Sequence, residues 1–103
     1  MAFPEMLIET YFYRGEYAQS VDRFGSLLAL NADAVNGYAY RGRAYLELGQ
    51  PEEALADLTR VVDSGQAIAA DYVFRGIAHG QLGNMESACS DLGKALETRR
   101  WPL

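Results

Sequence analysis

The chain has 103 residues, 9 basic and 14 acidic, for a formal net charge of −5; half of its residues are hydrophobic and 12% aromatic. This is a globular composition and the length of one domain, 1–103. The acidic balance argues against a nucleic-acid binder, which needs a basic patch. Cys89 stands alone, which excludes an internal disulfide, and no apolar run approaches the roughly 20 residues of a membrane span. The N-terminus lacks the basic start of a signal peptide, so the expectation is a cytoplasmic protein.

In chain order, helical periodicity predicts a first helix near 4–13, stopped by Gly15, and a second near 17–30. The third, near 34–47, carries Tyr38, Arg41, Gly42, Tyr45 and Leu48 on one stripe and ends at Gly49, because a left-handed closing residue is least costly as glycine. Pro51, Glu52 and Glu53 suit the start of the fourth, near 52–64. There the proline lacks an N–H that has no use, and the acids face the positive end of the helix dipole. Ala54, Leu55, Leu58, Val61 and Val62 form its apolar stripe. A fifth helix, near 69–82, stops at Gly83. Asn84 caps a sixth near 85–98. No stretch alternates with a period of two.

The chain also repeats itself. Tyr38-Ala39-Tyr40-Arg41-Gly42 returns 34 residues later as Tyr72-Val73-Phe74-Arg75-Gly76. At the same offset Leu48-Gly49 falls on Leu82-Gly83, Ala54 on Ala88 and Asp57-Leu58 on Asp91-Leu92, while Tyr45, Gly49 and Leu58 step back onto Tyr11, Gly15 and Phe24. Three units tile the chain, approximately 1–34, 35–68 and 69–102, each of two helices. Gly42 and Gly76 sit inside helices, where glycine costs about 1 kcal/mol against alanine. Their recurrence predicts a close approach to the partner helix at Ala54 and Ala88, with Tyr45 filling space beside it. Arg41 with Asp57, and Arg75 with Asp91, predict a partly buried bridge between the two helices of a unit. The first unit has Leu7 and Arg23 there instead.

The spacing Tyr38, Gly42, Tyr45, Gly49, Ala54, Leu58 resembles the tetratricopeptide repeat (TPR) family over essentially the whole chain. The departures are Pro4 and Ile8 in the first unit, His79 in place of a tyrosine, and Ala32, Gln66 and Arg100 where a unit commonly ends in proline. The resemblance implies an all-α fold, six antiparallel helices in three helix-turn-helix repeats, stacked as a right-handed superhelical α-solenoid.

The residues offer little chemistry. His79 and Cys89 are each the sole residue of their kind, too few for a zinc site. Both fall on motif positions that face helix packing, which favours core filling over a Cys–His dyad. No phosphate-binding glycine loop is present. The expectation is a non-catalytic protein with no metal and no cofactor.

Function is therefore expected on surfaces. By the resemblance, the first helices of the units line a concave groove for a partner peptide or helix, with Glu5, Glu9 and Phe12 from the first unit. The second unit gives Asn36, Tyr40, Arg43 and Glu47, and the third Val73, Phe74, Ile77 and Gln81. Tyr40, Phe74 and Ile77 are large groups with no evident intramolecular partner, which predicts an apolar contact site. One branch of the family clamps acidic chaperone tails with Lys, Arg and Asn. Here Glu5, Glu9, Tyr40, Ala70 and Phe74 stand at the equivalent places, so that clamp is not expected. The expected activity is that of an adaptor or assembly scaffold for a protein partner with apolar side chains, without nucleic acid or membrane. The alternatives are a structural domain that self-assembles through uncapped ends, where Ala88, Leu92, Ala95 and Leu96 face either core or solvent and Trp101 can fold back, and a small acidic secretion-type chaperone.

Overall fold

The computed structural model describes residues 11–99. Residues 11–13 are helical, and five helices follow: α1 (Tyr17–Leu30), α2 (Val35–Glu47), α3 (Pro51–Asp63), α4 (Ala69–Gln81) and α5 (Met85–Arg99). Among the described residues there is no strand, and no helix is long and apolar enough to cross a membrane. The expected helices fall within one residue of these at the described ends. Of the helix expected near 4–13, residues 4–10 lie outside the described residues, as do Glu5, Glu9, Pro4, Leu7, Ile8, Arg100 and Trp101.

The repeat is visible in how helices end. Gly15, Gly49 and Gly83 take φ of +77°, +75° and +82°. Behind each, the next N–H turns back to a carbonyl five residues earlier: Glu16 to Tyr11 at 2.9 Å, Gln50 to Tyr45 at 2.8 Å and Asn84 to His79 at 2.8 Å. A left-handed glycine with this returning bond satisfies carbonyls that the helix end would leave bare.

Helix starts differ more. Pro51 opens α3 with Glu52 and Glu53 in its first turn. At α4 the Asp71 carboxylate, itself buried, accepts a 2.9 Å bond from the Ile68 N–H. Asn84 stands just before α5, but its amide nitrogen lies 3.4 Å from His79 Nδ1. The expected side-chain cap is thus replaced by a contact with the preceding helix.

Each helix packs on the next, and α2 also touches α4; α1 does not reach α3, nor α3 reach α5. The first helices of consecutive units are therefore closer than the second ones. The stack curves with α2 and α4 on its inner side.

Phe24, Leu58 and Val61 are the large side chains sealed in the core. A Cβ on Gly42 would stand 2.9 Å from Leu58 Cγ and 3.3 Å from Asp57 Cβ, so this mid-helix glycine lets α2 and α3 touch. Beside it the Arg41 Nε and Nη2 donate to Asp57 Oδ2 and Oδ1 at 2.7 and 2.8 Å. The Arg75–Asp91 pair has the same fork at 2.7 and 2.7 Å. Both aspartates are buried. The hydrogen bonds to these carboxylates raise the Arg41 and Arg75 pKa values, against desolvation, which lowers them. Tyr38 and Tyr45 flank the Arg41 guanidinium at 5.7 and 5.9 Å. In the first unit, Arg23 lies over the Tyr11 ring at 5.7 Å.

Candidate functional site

The inner face is built on Phe12 and the exposed sides of α2 and α4. Its centre is Arg43. The guanidinium carbon stands 4.8 Å from the Phe12 ring centre, 5.4 Å from that of Tyr40 and 4.6 Å from that of Phe74. These rings belong to three successive units, so one side chain ties them together.

Tyr40 is half-buried and held by three rings. It stacks on Phe24 with centroids 5.6 Å apart and planes 5° from parallel, and meets Phe12 and Tyr13 edge-on. Its hydroxyl and that of Tyr13 share a 2.8 Å hydrogen bond. The expectation that Tyr40 and Phe74 lack intramolecular partners is therefore corrected. Tyr40 is part of an aromatic junction between the first two units, and Phe74 packs against the Arg43 cation. Ile77 does remain 41% exposed.

Of the other expected groove residues, Asn36, Glu47 and Gln81 are exposed, Val73 is half-buried, and Phe12 is buried at the base of the ring cluster. The cluster also contains Tyr13 and Phe24, which sequence reasoning left out. The density of aromatics in Tyr11-Phe12-Tyr13, Tyr17 and Phe24 is the signal that could have found them.

Phe74 also lines a solvent-open hollow of about 680 Å³ with Ala67, Ile68, Ala69, Ala70, Val73 and Thr98. One unit earlier, a second hollow of about 580 Å³ has Asp33, Arg60, Asp63, Ser64 and Gln66 in its wall. That second wall also holds Ala32, Val35 and Tyr38, so it is mixed where the hollow beside Phe74 is mainly apolar. The apolar one adjoins the ring cluster and can seat an apolar side chain.

His79 is half-buried against Asp91, with Nε2 3.8 Å from Oδ2. Cys89 is exposed. Core filling therefore fails for the cysteine, because its position in the repeat faces where a further helix would pack and α5 is the last described helix. Among the described residues no group of three His, Cys, Asp or Glu side chains could hold a metal ion.

On α5, Ala88 and Ala95 are buried, whereas Leu92 and Leu96 are 44% and 71% exposed. Met85 and Cys89 continue this exposed stripe.

Comparison with known proteins agrees with this architecture. The tetratricopeptide repeat profile matches residues 6–71 and 41–102, and the chain belongs to that family. No curated protein matches the sequence. Among solved structures, the chain is similar to the first TPR of Spaghetti (RPAP3) bound to an HSP90 peptide, SRMEEVD. The two share 23% identity with a TM-score of 0.87, over 93% of this chain and 76% of that one. The second TPR of Spaghetti, bound to the same peptide, gives the same identity and TM-score over 93% and 89%. The C-terminal part of a TPR repeat-containing protein from Cytophaga hutchinsonii gives 21% identity and a TM-score of 0.84, over 91% of this chain and 38% of that one.

Proposed function

We propose that residues 1–103 form one TPR domain acting as a non-catalytic protein–protein interaction module, an adaptor or assembly scaffold of the cytoplasm. It takes an extended segment or helix of a partner along the inner face. The observation that carries this reading is the contact of Arg43 with Phe74 beside an apolar hollow that Val73 and Phe74 line, with the exposed Ile77 one turn further along α4. Large half-buried rings and an arginine are the side chains that anchor protein interfaces. The peptide-bound Spaghetti domains support the use of such a fold for peptide capture. Tyr40, Ala70 and Phe74 supply no cation at the clamp positions, so a tail made only of acidic residues is not the expected ligand.

The test is capture from source lysate with wild type and Ile77→Glu. Ile77 is exposed and outside the ring cluster, so this change leaves the fold in place. Tyr40→Ala would break the junction between units and confuse loss of binding with loss of structure. A partner lost by Ile77→Glu supports the inner face. A partner list identical for both proteins contradicts it.

A second reading rests on the exposed stripe of α5, which can pair with a second copy. Light scattering decides it. A mass that rises with concentration and returns to the monomer value in Leu96→Lys supports self-assembly; a constant monomer mass ends it.

A further inference from the structure

Arg43 has an unusual set of neighbours for a cation. Three rings surround it, and among the described residues it makes no ion pair, although Glu47 lies one turn further along α2. Its Nε is sealed from solvent without a hydrogen-bond acceptor. The two Nη nitrogens are not among the sealed atoms, and among the described residues they have no acceptor. Arg41 and Arg75, by contrast, each spend Nε and one Nη on a carboxylate. In a chain with five more acids than bases, an arginine without a carboxylate among the described residues needs an explanation.

The rings explain where the side chain is held, not how its charge is met. Cation–π contacts attract the guanidinium and fix its plane, but they leave its outward N–H groups unbonded. Partial removal from water strengthens any charge-assisted bond those groups can make. A carboxylate is the planar anion that matches the guanidinium fork. One arginine in an acidic chain does not suit a nucleic-acid backbone, whose binding needs several cations. Arg43 also lies at the middle of the three units, with ring contacts from both sides. A segment lying in the groove passes over it, so the anion belongs to a side chain rather than to a chain end.

We infer that the inner face selects a partner segment carrying one Asp or Glu that bonds the Arg43 Nη groups, with a large apolar residue nearby that seats in the hollow beside Phe74. This specificity rests on the groove reading proposed above.

The test uses a phage-displayed library of random twelve-residue peptides fused through their C-terminal ends, so that only side-chain carboxylates are offered. Wild type is expected to enrich a single Asp or Glu at a fixed spacing from a large apolar residue. In a synthetic copy, Glu→Gln (or Asp→Asn) is expected to weaken binding to the wild type at least about tenfold, the scale of one hydrogen bond to a charged group. This exchange needs no protein variant. Arg43→Met keeps an unbranched stem between the rings and is expected to bind both peptides alike. Enriched peptides that Ile77→Glu rejects, but that show no acidic position, would overturn the carboxylate while leaving the groove. Peptides that bind Ile77→Glu as well as wild type, or no enrichment at all, would overturn both.

Discussion

The junction between the first two units and the outer face of α5 are the same place in the repeat, 68 residues apart in sequence. Phe24 on α1 is 1% exposed, Leu58 on α3 is 0% exposed, and Leu92 on α5 is 44% exposed. Four residues on, Leu28 is buried and Leu96 is 71% exposed. The cover at the first junction is α2: Leu28 would lie 3.1 Å from a Cβ on Gly37, and Phe24 stacks on Tyr40. Among the described residues, an apolar residue at this position is thus core or surface according to whether another helix packs on it. Burial here belongs to the stack more than to the residue type.

The largest effect that sharpens this contrast is a pair of truncations. Phe24→Ala removes a sealed ring and is expected to cost about 3–5 kcal/mol. Leu92→Ala is expected to cost about 1 kcal/mol, since much of its surface is already wet. Urea unfolding followed by circular dichroism measures both. Equal losses would mean that α5 is covered in solution, and would raise the self-assembly reading.

Next come the two ion pairs. Asp57→Ala leaves the Arg41 guanidinium partly buried without its carboxylate, a loss of about 3 kcal/mol. The Arg75–Asp91 pair has the same geometry although it sits in the unit with the exposed face. Asp91→Ala is therefore expected to match Asp57→Ala within about 1 kcal/mol. A much smaller loss at Asp91 would show that α5 is loosely held, and would break the idea that the units differ only in their outer cover.

The glycines give a smaller contrast. At Gly42 a methyl would press on Leu58, which is sealed, and on Asp57, which is fixed by Arg41. At Gly76 the nearest atoms are the Ala88 carbonyl at 3.2 Å and Leu92 Cγ at 3.4 Å. Helix propensity favours alanine at both by about 1 kcal/mol. Overpacking of about 1–3 kcal/mol opposes it. Gly42→Ala is expected to lose about 1–2 kcal/mol. Gly76→Ala is expected to lose less, about 1 kcal/mol, because its tightest contact is the Ala88 carbonyl at 3.2 Å, which yields only if α5 shifts away from α4, while Leu92 is at ordinary contact distance. The same unfolding curves read the difference, and equal losses would show that α5 is held against α4 as firmly as α3 is against α2.

The sequence made much of this legible, for a definite reason. An offset of 34 residues superimposes Gly49 on Gly83 and Arg41 on Arg75, and each match constrains local geometry. Helix stops, the glycine contact at Leu58 and the Arg–Asp spacing are all set within one unit or its closing turn. The inner face was less legible. Phe12, Tyr13, Phe24, Tyr40, Arg43 and Phe74 come from different units, and their meeting depends on how one unit leans on the next. Periodicity gives the face of a helix but not the reach of an arginine between rings. For the same reason the exposure of Cys89 could not be read from its position in the motif, which says where a neighbour would sit and not whether one is there.

The smallest effect tests the comparison at its inner end. At the repeat position that Ala54 and Ala88 hold in the later units, the first unit has Ser20, whose side chain is wholly buried. Among the described residues the Ser20 Oγ has no hydrogen-bond partner. A buried hydroxyl without a partner costs about 1–3 kcal/mol in lost hydration, and nothing about its volume requires it, since alanine fills the position twice elsewhere. Ser20→Ala is expected to stabilise the protein by about 1 kcal/mol, seen as a rise in Tm of about 4–8 °C. A fall of similar size would mean that the hydroxyl bonds an internal water. The first unit would then hold water at a position where the alanines of the later units leave no polar group to bind it.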